Sequence, residues 1–544
     1  MRAAGTLLIS LLLGSLAAAA FDFSALETVP IQEGGRKKPY IVFAEESTQG
    51  LGGRTSVHIE GRKVGAMEFI TGLWLAPDGW EDLPVILVNN RALKEDTGLE
   101  PGRKHFSYSE LVANTGLRAR LAEAAALRAR PGNNRLTGLP KEAADVGMRL
   151  AAIESLASGD SFRLVPNPEL NDGPWSTVPA DQLAPVAAAF RAGDPAALTS
   201  ALEALRSELA VLHPEFQPPG WKIELEALYQ KFHPIRWAWI LYLASGTVVA
   251  LAGRTSAGYA ASWVLAGAGF AMQLAGFVAR IIISGRAPVT NMYESVLWVA
   301  FGTVLFALVF EAIYRSRVFL LAAAPVAVVS LIFADSQPAA LSRSINPLVP
   351  VLRDNFWLTT HVLTITLSYA AFALALAIGH IVLVQVIRGK KPLPSLYNYL
   401  YRVLQVGVLL LAVGTILGGV WANYSWGRFW DWDPKEVWAL VTLLAYLFVL
   451  HGRIAGKWGG FGMSVGAILC FQSVLMAWYG VNFVLGVGLH SYGFGSGGFG
   501  WAAAFVSTEL AFVAFALWKK SRTGTGSTGD QSPTVTGVPS LTRS

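Results

Sequence analysis

Nine long apolar runs fill the second half of the chain, and they constrain its fold more than any other feature. Each run approaches or exceeds the roughly 20 residues that an α-helix needs to cross the hydrocarbon core of a bilayer. Backbone polar groups cannot stay unpaired in lipid, so these runs are expected as transmembrane helices. The runs are 235–253, 259–284, 293–314, 317–335, 361–388, 402–421, 436–454, 461–484 and 500–518. We therefore predict an all-α polytopic membrane bundle of eight or nine transmembrane helices.

The composition agrees with a membrane location. Hydrophobic residues make up 53% of the chain and charged residues only 15%, so much of the chain is expected away from water. The net charge of +6 falls mainly in short basic clusters between the apolar runs, as in cytosolic loops under the positive-inside rule. Membrane lipid is therefore an expected partner, and nucleic acid is not.

The same basic clusters predict the orientation. If residue 22 is outside the cytosol, nine spans leave the C-terminus inside, and every inner loop holds a basic cluster. These clusters are Arg254, Arg315 with Arg317, Arg388 with Lys390 and Lys391, Arg453 with Lys457, and Lys519 with Lys520. We expect a multi-pass protein of the plasma (inner) membrane. Its outer loops are expected at 284–292, 335–360, 421–435 and 486–498.

Four segments are predicted along the chain. Residues 1–20 combine an N-terminal arginine, an apolar stretch and an alanine-rich end, which indicates a signal peptide or a retained anchor helix. Residues 21–234 hold charges and turn signals, and we expect a soluble domain outside the cytosol. Residues 235–519 form the membrane domain. Residues 520–544, rich in Ser, Thr and Gly, are expected as a disordered cytosolic tail.

Within the predicted soluble domain, composition indicates a mixed and largely helical fold. Segments 117–127 and 186–212 are rich in Ala, Leu, Arg and Glu, so we predict helices there. Short β-branched stretches near residue 41 and at 85–88 indicate strands. No chemistry can be assigned to this domain from its own residues.

Cys470 is the only cysteine, and it lies inside an apolar run. One cysteine permits no intramolecular disulfide, CxxC relay or zinc–cysteine site. Any thiol chemistry therefore belongs to a partner.

A dense aromatic stretch lies in the predicted outer loop 421–435. Tyr424 and Phe429 accompany a group of tryptophans, whose members are Trp421, Trp426, Trp430 and Trp432. These rings offer a broad π surface suited to a porphyrin face, while Asn423, Arg428 and Lys435 offer hydrogen bonds or positive charge for propionates. An interfacial aromatic belt is the alternative explanation.

Two histidines lie at the predicted membrane level of this stretch. His361 begins a span at the outer face, and His490 lies in the last outer loop. Haem iron takes imidazole ligands well, and two axial ligands approach opposite faces of the ring. A single histidine near a helix end is more often a cap or an interface residue. Two that flank one aromatic stretch favour a shared haem site.

The Trp-rich stretch ends in Trp432-Asp433-Pro434-Lys435-Glu436 and resembles the WWD motif of haem-handling proteins of cytochrome c maturation. The resemblance is strongest to the CcsA type of system II. Segment 288–295, Pro-Val-Thr-Asn-Met-Tyr-Glu-Ser, resembles the outer-loop signature of that family, and 489–492, Leu-His-Ser-Tyr, resembles the segment with its second external histidine. The resemblance covers 235–520, a little over half of the chain.

The resemblance implies a set of site residues. His361 and His490 match the external histidines that ligate haem beside the WWD loop, and His451 matches an intramembrane histidine that holds haem in transit. The motif residues implied to contact haem b, as ligand and substrate, are Trp421, Trp426, Trp430, Trp432, Asp433 and Asn291.

Four basic residues have two explanations each. His451 lies about 22 Å into its span at about 1.5 Å per residue, where snorkelling to the basic inner loop is the alternative to ligation. His380 reaches a similar depth, where it is either an alternative companion for His451 or simply a polar residue at a helix end. Arg286, like Arg280, is a basic residue on the outer side, which makes it either a propionate partner or a solvated charge.

The family resemblance implies a haem lyase component that delivers or ligates haem to apocytochrome c carrying CxxCH. A CcsB-like subunit and a thiol-reducing protein are the implied partners, and no residue is assigned as catalytic. One alternative is a haem transporter or chaperone without ligase activity. Another is a membrane electron-transfer subunit, which needs paired histidines at two depths within the spans.

Overall fold

A computed structural model describes residues 21–130, 136–168, 173–336, 341–348, 352, 354–485 and 498–522. The chain divides into two compact units. The N-terminal unit extends to Phe232 and includes Ser344–Pro347, and the membrane unit holds His233–Arg343 and the chain from Leu348 onward. The predicted signal peptide, most of the predicted tail and His490 lie outside the described residues.

The described N-terminal unit combines short antiparallel strand pairs with helices, so the prediction of a mixed fold is confirmed. The strand pairs are β1 (Pro30–Glu33) with β2 (Arg36–Pro39), β3 (Ser56–Ile59) with β4 (Arg62–Gly65), β5 (Ile86–Leu87) with β6 (His105–Phe106), and β7 (Arg163–Val165) with β8 (Ser176–Thr177). The helices are α1 (Tyr40–Gly52), α2 (Ala66–Leu75), α3 (Arg91–Thr97), α4 (Tyr108–Ala113), α5 (Thr115–Arg128), α6 (Gly138–Ala157), α7 (Ala180–Ala192), α8 (Pro195–Val211) and α9 (Gly220–Phe232). Single 3₁₀ turns lie at Ser24–Leu26, Trp80–Asp82 and Pro214–Phe216. In the core of this unit, the rings of Trp74 and Phe162 stack 4.5 Å apart.

Two predictions for this unit differ from the structure. Ile41 lies in α1 and not in a strand, because the first turns of α1 are buried in the unit and tertiary packing overrides β propensity. The single helix predicted at 186–212 is two helices. Gly193 ends α7 with φ +68°, and the side chain of Asp194 caps α8 by accepting hydrogen bonds from the backbone amides of Ala196 and Ala197.

Within the described residues, nine helices are long and apolar enough to cross a membrane, and the predicted all-α bundle is confirmed. The first is counted from Gly220, so that it includes α9. In the membrane unit the helices are α10 (Pro234–Ala252), α11 (Ser256–Ser284), α12 (Met292–Tyr314), α13 (Val318–Ser336), α14 (Asn355–Ile387), α15 (Pro394–Trp426), α16 (Pro434–Ile454), α17 (Gly460–Leu485) and α18 (Phe499–Arg522).

Helix α14 lies at the centre of the membrane unit. It packs against α12, α13, α15, α17 and α18, and its residues 368–379 are buried without interruption. A helix that is apolar on all sides belongs in the interior of a bundle. Across the core, Phe372 of α14 stacks on Tyr446 of α16 with ring centroids 3.7 Å apart. Gly407 of α15 leaves room for this ring, since a Cβ there would lie 2.5 Å from Phe372.

Three of the predicted outer segments meet at one end of this bundle. Ala287 and Val289 of the loop before α12 pack with Leu352, Leu358 and Trp421 in one buried cluster. At the same end, the indole Nε1 of Trp478 on α17 donates to Ser295 Oγ at 2.9 Å. These three segments therefore lie together at one end of the membrane unit, as the predicted topology requires. We call this end the aromatic end.

Candidate functional site

His361 lies at the aromatic end, in a π-helical turn of α14 that spans Leu358–Val362. Such turns inside α-helices occur frequently at functional sites. The imidazole Nδ1 lies 2.8 Å from the carbonyl oxygen of Gly414 on α15. A carbonyl only accepts, so neutral His361 carries its proton on Nδ1 and its lone pair on Nε2. This is the tautomer that ligates a metal through Nε2 while the other ring nitrogen is held by a backbone carbonyl.

Two glycines on α15 set the position of this ring. A Cβ on Gly418 would lie 2.6 Å from Cε1 of His361 and 3.2 Å from its Nε2. One turn earlier, a Cβ on Gly414 would lie 2.9 Å from the Cα of Ile365. The absence of both side chains lets the backbones of α14 and α15 approach, which brings the Gly414 carbonyl within reach of the imidazole. The sequence shows these glycines, yet only the structure shows their link to His361.

The predicted Trp-rich loop is partly helical. Helix α15 continues through Trp426 and ends at Gly427, whose φ is +73°, so the connection to α16 is shorter than the predicted loop 421–435. Trp421 is buried, and its ring lies 5.7 Å from that of His361 at an interplanar angle of 62°. Trp426 and Trp430 are half-buried. The tryptophans therefore differ in environment, although they are close in sequence.

Three aromatic side chains of this segment are exposed. Trp432 and Tyr424 are each 72% exposed, and Phe429 is 49% exposed. The ring of Trp432 stands at 87° to that of Trp430, with centroids 5.9 Å apart. The guanidinium of Arg428 is partly exposed and pairs with Asp431 at 2.8 Å. Large aromatic rings exposed at one end of a membrane bundle fit either an interaction surface or an interfacial aromatic belt.

Asp433 has a structural explanation. Only 6% exposed, it caps the N-terminus of α16 by accepting from the backbone amide of Lys435 at 2.9 Å. Glu436 completes the capping box by accepting from the amides of Asp431 at 2.8 Å and Asp433 at 3.3 Å. These bonds hold Trp432 at φ +57°, a conformation that costs a bulky residue about 1–3 kcal/mol and persists only where the surrounding structure fixes it. Asp433 thus supports the exposed ring of its neighbour.

The segment 288–295 also forms a helix start. The side chain of Asn291 accepts from the amide of Glu294 at 2.9 Å and caps α12. The carboxylate of Glu294 accepts from the amide and the hydroxyl of Thr290 at 2.8 and 2.7 Å. It also accepts from Nη2 of Arg280 at 2.6 Å, and these two side chains are only 2% and 3% exposed. Arg280 is therefore committed to Glu294, whereas Arg286 is half-buried in the adjoining loop.

The two histidines predicted deeper in the bundle have different neighbours. His451 is exposed, and its Nδ1 lies 2.7 Å from the carbonyl of Leu447 on its own helix. His380 pairs through Nε2 with Glu509 of α18 at 2.9 Å and stacks on Phe512 with centroids 4.8 Å apart. Among the described residues, no hydrogen bond, ion pair or ring contact joins His380 to His451. Glu509 was not predicted as a site residue, although an acidic residue in the middle of an apolar run indicates a buried polar partner or a functional site.

The buried Arg280–Glu294 pair yields a stability prediction. Glu294→Ala leaves a guanidinium buried without its counter-charge, which is expected to lower the free energy of unfolding by about 3–5 kcal/mol. The matched control is Asp431→Ala, which breaks the exposed pair with Arg428 and is expected to change it by about 0–1 kcal/mol. Thermal unfolding of the two purified variants in detergent measures the difference. Equal melting temperatures would show that the buried pair does not stabilise the fold.

Comparisons with known proteins support the sequence resemblance. Residues 289–490 match the model of the family described as Cytochrome C assembly protein. The cytochrome c biogenesis protein CcsA of Prochlorococcus marinus (strain NATL2A) is 37% identical over 250 residues, which cover 39% of this chain and 78% of that protein. CcsA of Guillardia theta is 36% identical over 243 residues, covering 39% of this chain and 79% of that protein.

A longer relative matches most of the chain. Protein NrfI of Wolinella succinogenes is 28% identical over 494 residues, which cover 84% of this chain and 53% of NrfI. The chain thus spans about half the length of NrfI, and the matched region extends beyond the membrane unit. Together with the coverage of the CcsA proteins, these similarities show that the chain belongs to the CcsA family of cytochrome c biogenesis proteins.

Proposed function

We propose that this protein binds haem b at the aromatic end of its membrane unit and presents it to apocytochrome c. The observation that carries the proposal is the 2.8 Å contact between Nδ1 of His361 and the Gly414 carbonyl, which assigns the lone pair of the neutral imidazole to Nε2. The names of the CcsA relatives, which are cytochrome c biogenesis proteins, support the same chemistry.

The residues at the aromatic end fit a porphyrin. The exposed rings of Trp432, Tyr424 and Phe429 supply flat apolar area, and the partly exposed Arg428 can pair with a propionate. We assign one axial position to His361. The second is assigned to His490, which lies outside the described residues and inside the matched region.

The proposed reaction is thioether formation between haem and the CxxCH cysteines. Each thiol adds across a vinyl group, so that one S–C bond and one C–H bond form from the S–H and the C=C without net oxidation. The protein's contribution is orientation, because holding two reactants in a near-attack geometry lowers the entropic part of the barrier. Cys470 is the only cysteine, so the thiols must be kept reduced by another protein. A CcsB-like subunit is the proposed companion in the membrane.

The proposed setting is the plasma (inner) membrane, with the aromatic end outside the cytosol. We assign residues 21–234 to an outer soluble domain, 235–519 to the haem-handling domain and 520–544 to the cytosolic side. His451 is proposed to hold haem in transit from the inner side. A haem transporter or chaperone would use the same ligands, and it differs in producing no covalent cytochrome c.

The outer ligands are tested in a bacterium whose own cytochrome c maturation genes are deleted, with a CxxCH reporter supplied. His361→Ala and His490→Ala are each expected to abolish most covalent cytochrome c, because either change leaves haem five-coordinate or lost. Added imidazole is expected to restore part of the low-spin absorbance of the purified protein by filling the vacant axial position.

Two other histidine variants serve as controls. His58→Ala, on the exposed side of β3, is expected to leave the haem spectrum unchanged. His451→Ala is expected to lower haem content without changing the ligand set of the haem that remains. Wild-type low-spin spectra for both outer-ligand variants would overturn the assignment. If the wild-type protein binds haem normally but forms no covalent cytochrome c even with a CcsB-like subunit present, the result would instead favour a transporter.

The glycine contact with His361 gives a second prediction. Gly418→Ala introduces a methyl group 2.6 Å from the imidazole, which must displace the ring from the Gly414 carbonyl. Loss of such an orienting bond is expected to weaken haem binding about 10-fold or more. Gly267→Ala is the matched control, because a Cβ at this helical glycine has open space around it. Haem titration of both proteins measures the effect, and equal affinities would contradict the role assigned to Gly418.

The orientation is tested with reporter fusions. Alkaline phosphatase is expected to be active after Phe232 and in the connection at 427–433, and inactive after Lys391 and after Lys520. The reason is that the basic clusters hold their loops in the cytosol. Green fluorescent protein at the same positions is expected to show the opposite pattern. An active phosphatase after Lys391 would show that the predicted orientation is wrong and that the aromatic end lies inside.

A further inference from the structure

Helix α9 is fixed to the N-terminal unit along one side. Arg36 of β2 donates two hydrogen bonds to the carboxylate of Glu226, at 3.0 and 2.7 Å, and Ala227 packs with Ile41 and Val42 of α1. Both Glu226 and Ala227 are buried. This side of α9 is therefore part of the folded unit, and the helix is an ordered element of fixed rotation.

The other side of α9 exposes large apolar residues. Trp221 is 60% exposed, Leu228 61% and Phe232 46%. Their spacings of seven and four residues place them on one face of an α-helix. The polar residues beside this face include Lys222, whose long side chain can reach along the helix to keep its charge in water. An apolar stripe of this kind marks an interaction surface.

The position of α9 in the chain indicates what covers this stripe. The helix ends at Phe232, and the first span of the membrane unit begins at Pro234. His233 between them has φ +50°, so the helix is interrupted there. The combined segment Gly220–Ala252 has 33 residues, which would extend about 50 Å as a straight helix and so exceed the roughly 30 Å of hydrocarbon. The combined segment is therefore longer than one membrane crossing, and α9 is its N-terminal part.

We propose that α9 is an interfacial helix, with Trp221, Leu228 and Phe232 inserted at the boundary between lipid headgroups and acyl chains. Trp is favoured at this depth because its ring is apolar and its N–H is polar. Amphipathic helices with bulky apolar residues on one face and lysines beside it bind membranes in this way. The inference is independent of haem, because it depends on the exposed stripe and its distance along the chain from a span.

The test uses the full-length protein in nanodiscs of phosphatidylcholine and phosphatidylglycerol. Cys470 is first replaced by Ser, and a nitroxide is then attached to Leu228→Cys. Power saturation compares collisions with oxygen, which concentrates in lipid, and with a water-soluble nickel chelate. The label at 228 is expected to collide more with oxygen than with nickel. The matched control is Val211→Cys on α8 of the same unit, 74% exposed, where nickel collisions are expected to dominate.

Two outcomes would overturn the proposal. A label at 228 that is as accessible to nickel as the label at 211 would show that α9 faces water. A label protected from both reagents would show that protein covers the stripe, and dipolar broadening between labels would identify a second copy of the chain. Phe232→Cys provides an independent position on the same face if Leu228→Cys does not fold, and the same comparison applies to it.

Discussion

The burial of α14 among its neighbouring helices is the constraint on which the rest of the membrane unit depends. Its long buried stretch leaves no lipid-facing side for residues 368–379, so its rotation and depth are fixed by packing. His361 stands at one end of this fixed helix, and the neighbouring α15 approaches it through glycines. The position of the imidazole therefore follows from close backbone packing, which is insensitive to the exposed loops around it.

The aromatic end combines two kinds of residue that sequence alone does not separate. Trp421 and Asp433 are buried and support the local fold, whereas Trp432 is exposed. The capping box at the start of α16 connects the two, because it fixes the backbone on which the exposed indole is carried. A motif defined by residue identity thus contains both a surface and the framework that holds it in place.

The apolar runs were enough to predict the spans, because hydrocarbon thickness sets helix length in a membrane. They could not predict the helix ends: α14 begins at Asn355 and α15 continues to Trp426, beyond the apolar residues. The sequence pattern predicts His361 and Trp421 at the same level of the membrane, and their rings lie 5.7 Å apart; which side of the membrane they face stays a prediction. The pairing of Arg280 with Glu294 and of His380 with Glu509 could not be predicted, since apolar periodicity carries no information about which polar residues face each other across helices.

The His380–Glu509 pair also sets the vertical register of α18. This helix is mostly exposed along its length, so apolar contacts alone would let it slide against α14 at little cost. Moving α18 by one residue would turn Glu509 by about 100° and carry a carboxylate into lipid without its partner, which is strongly unfavourable. A single polar contact therefore fixes the height at which α18 begins in the bundle. It thereby also fixes one attachment point of segment 486–497.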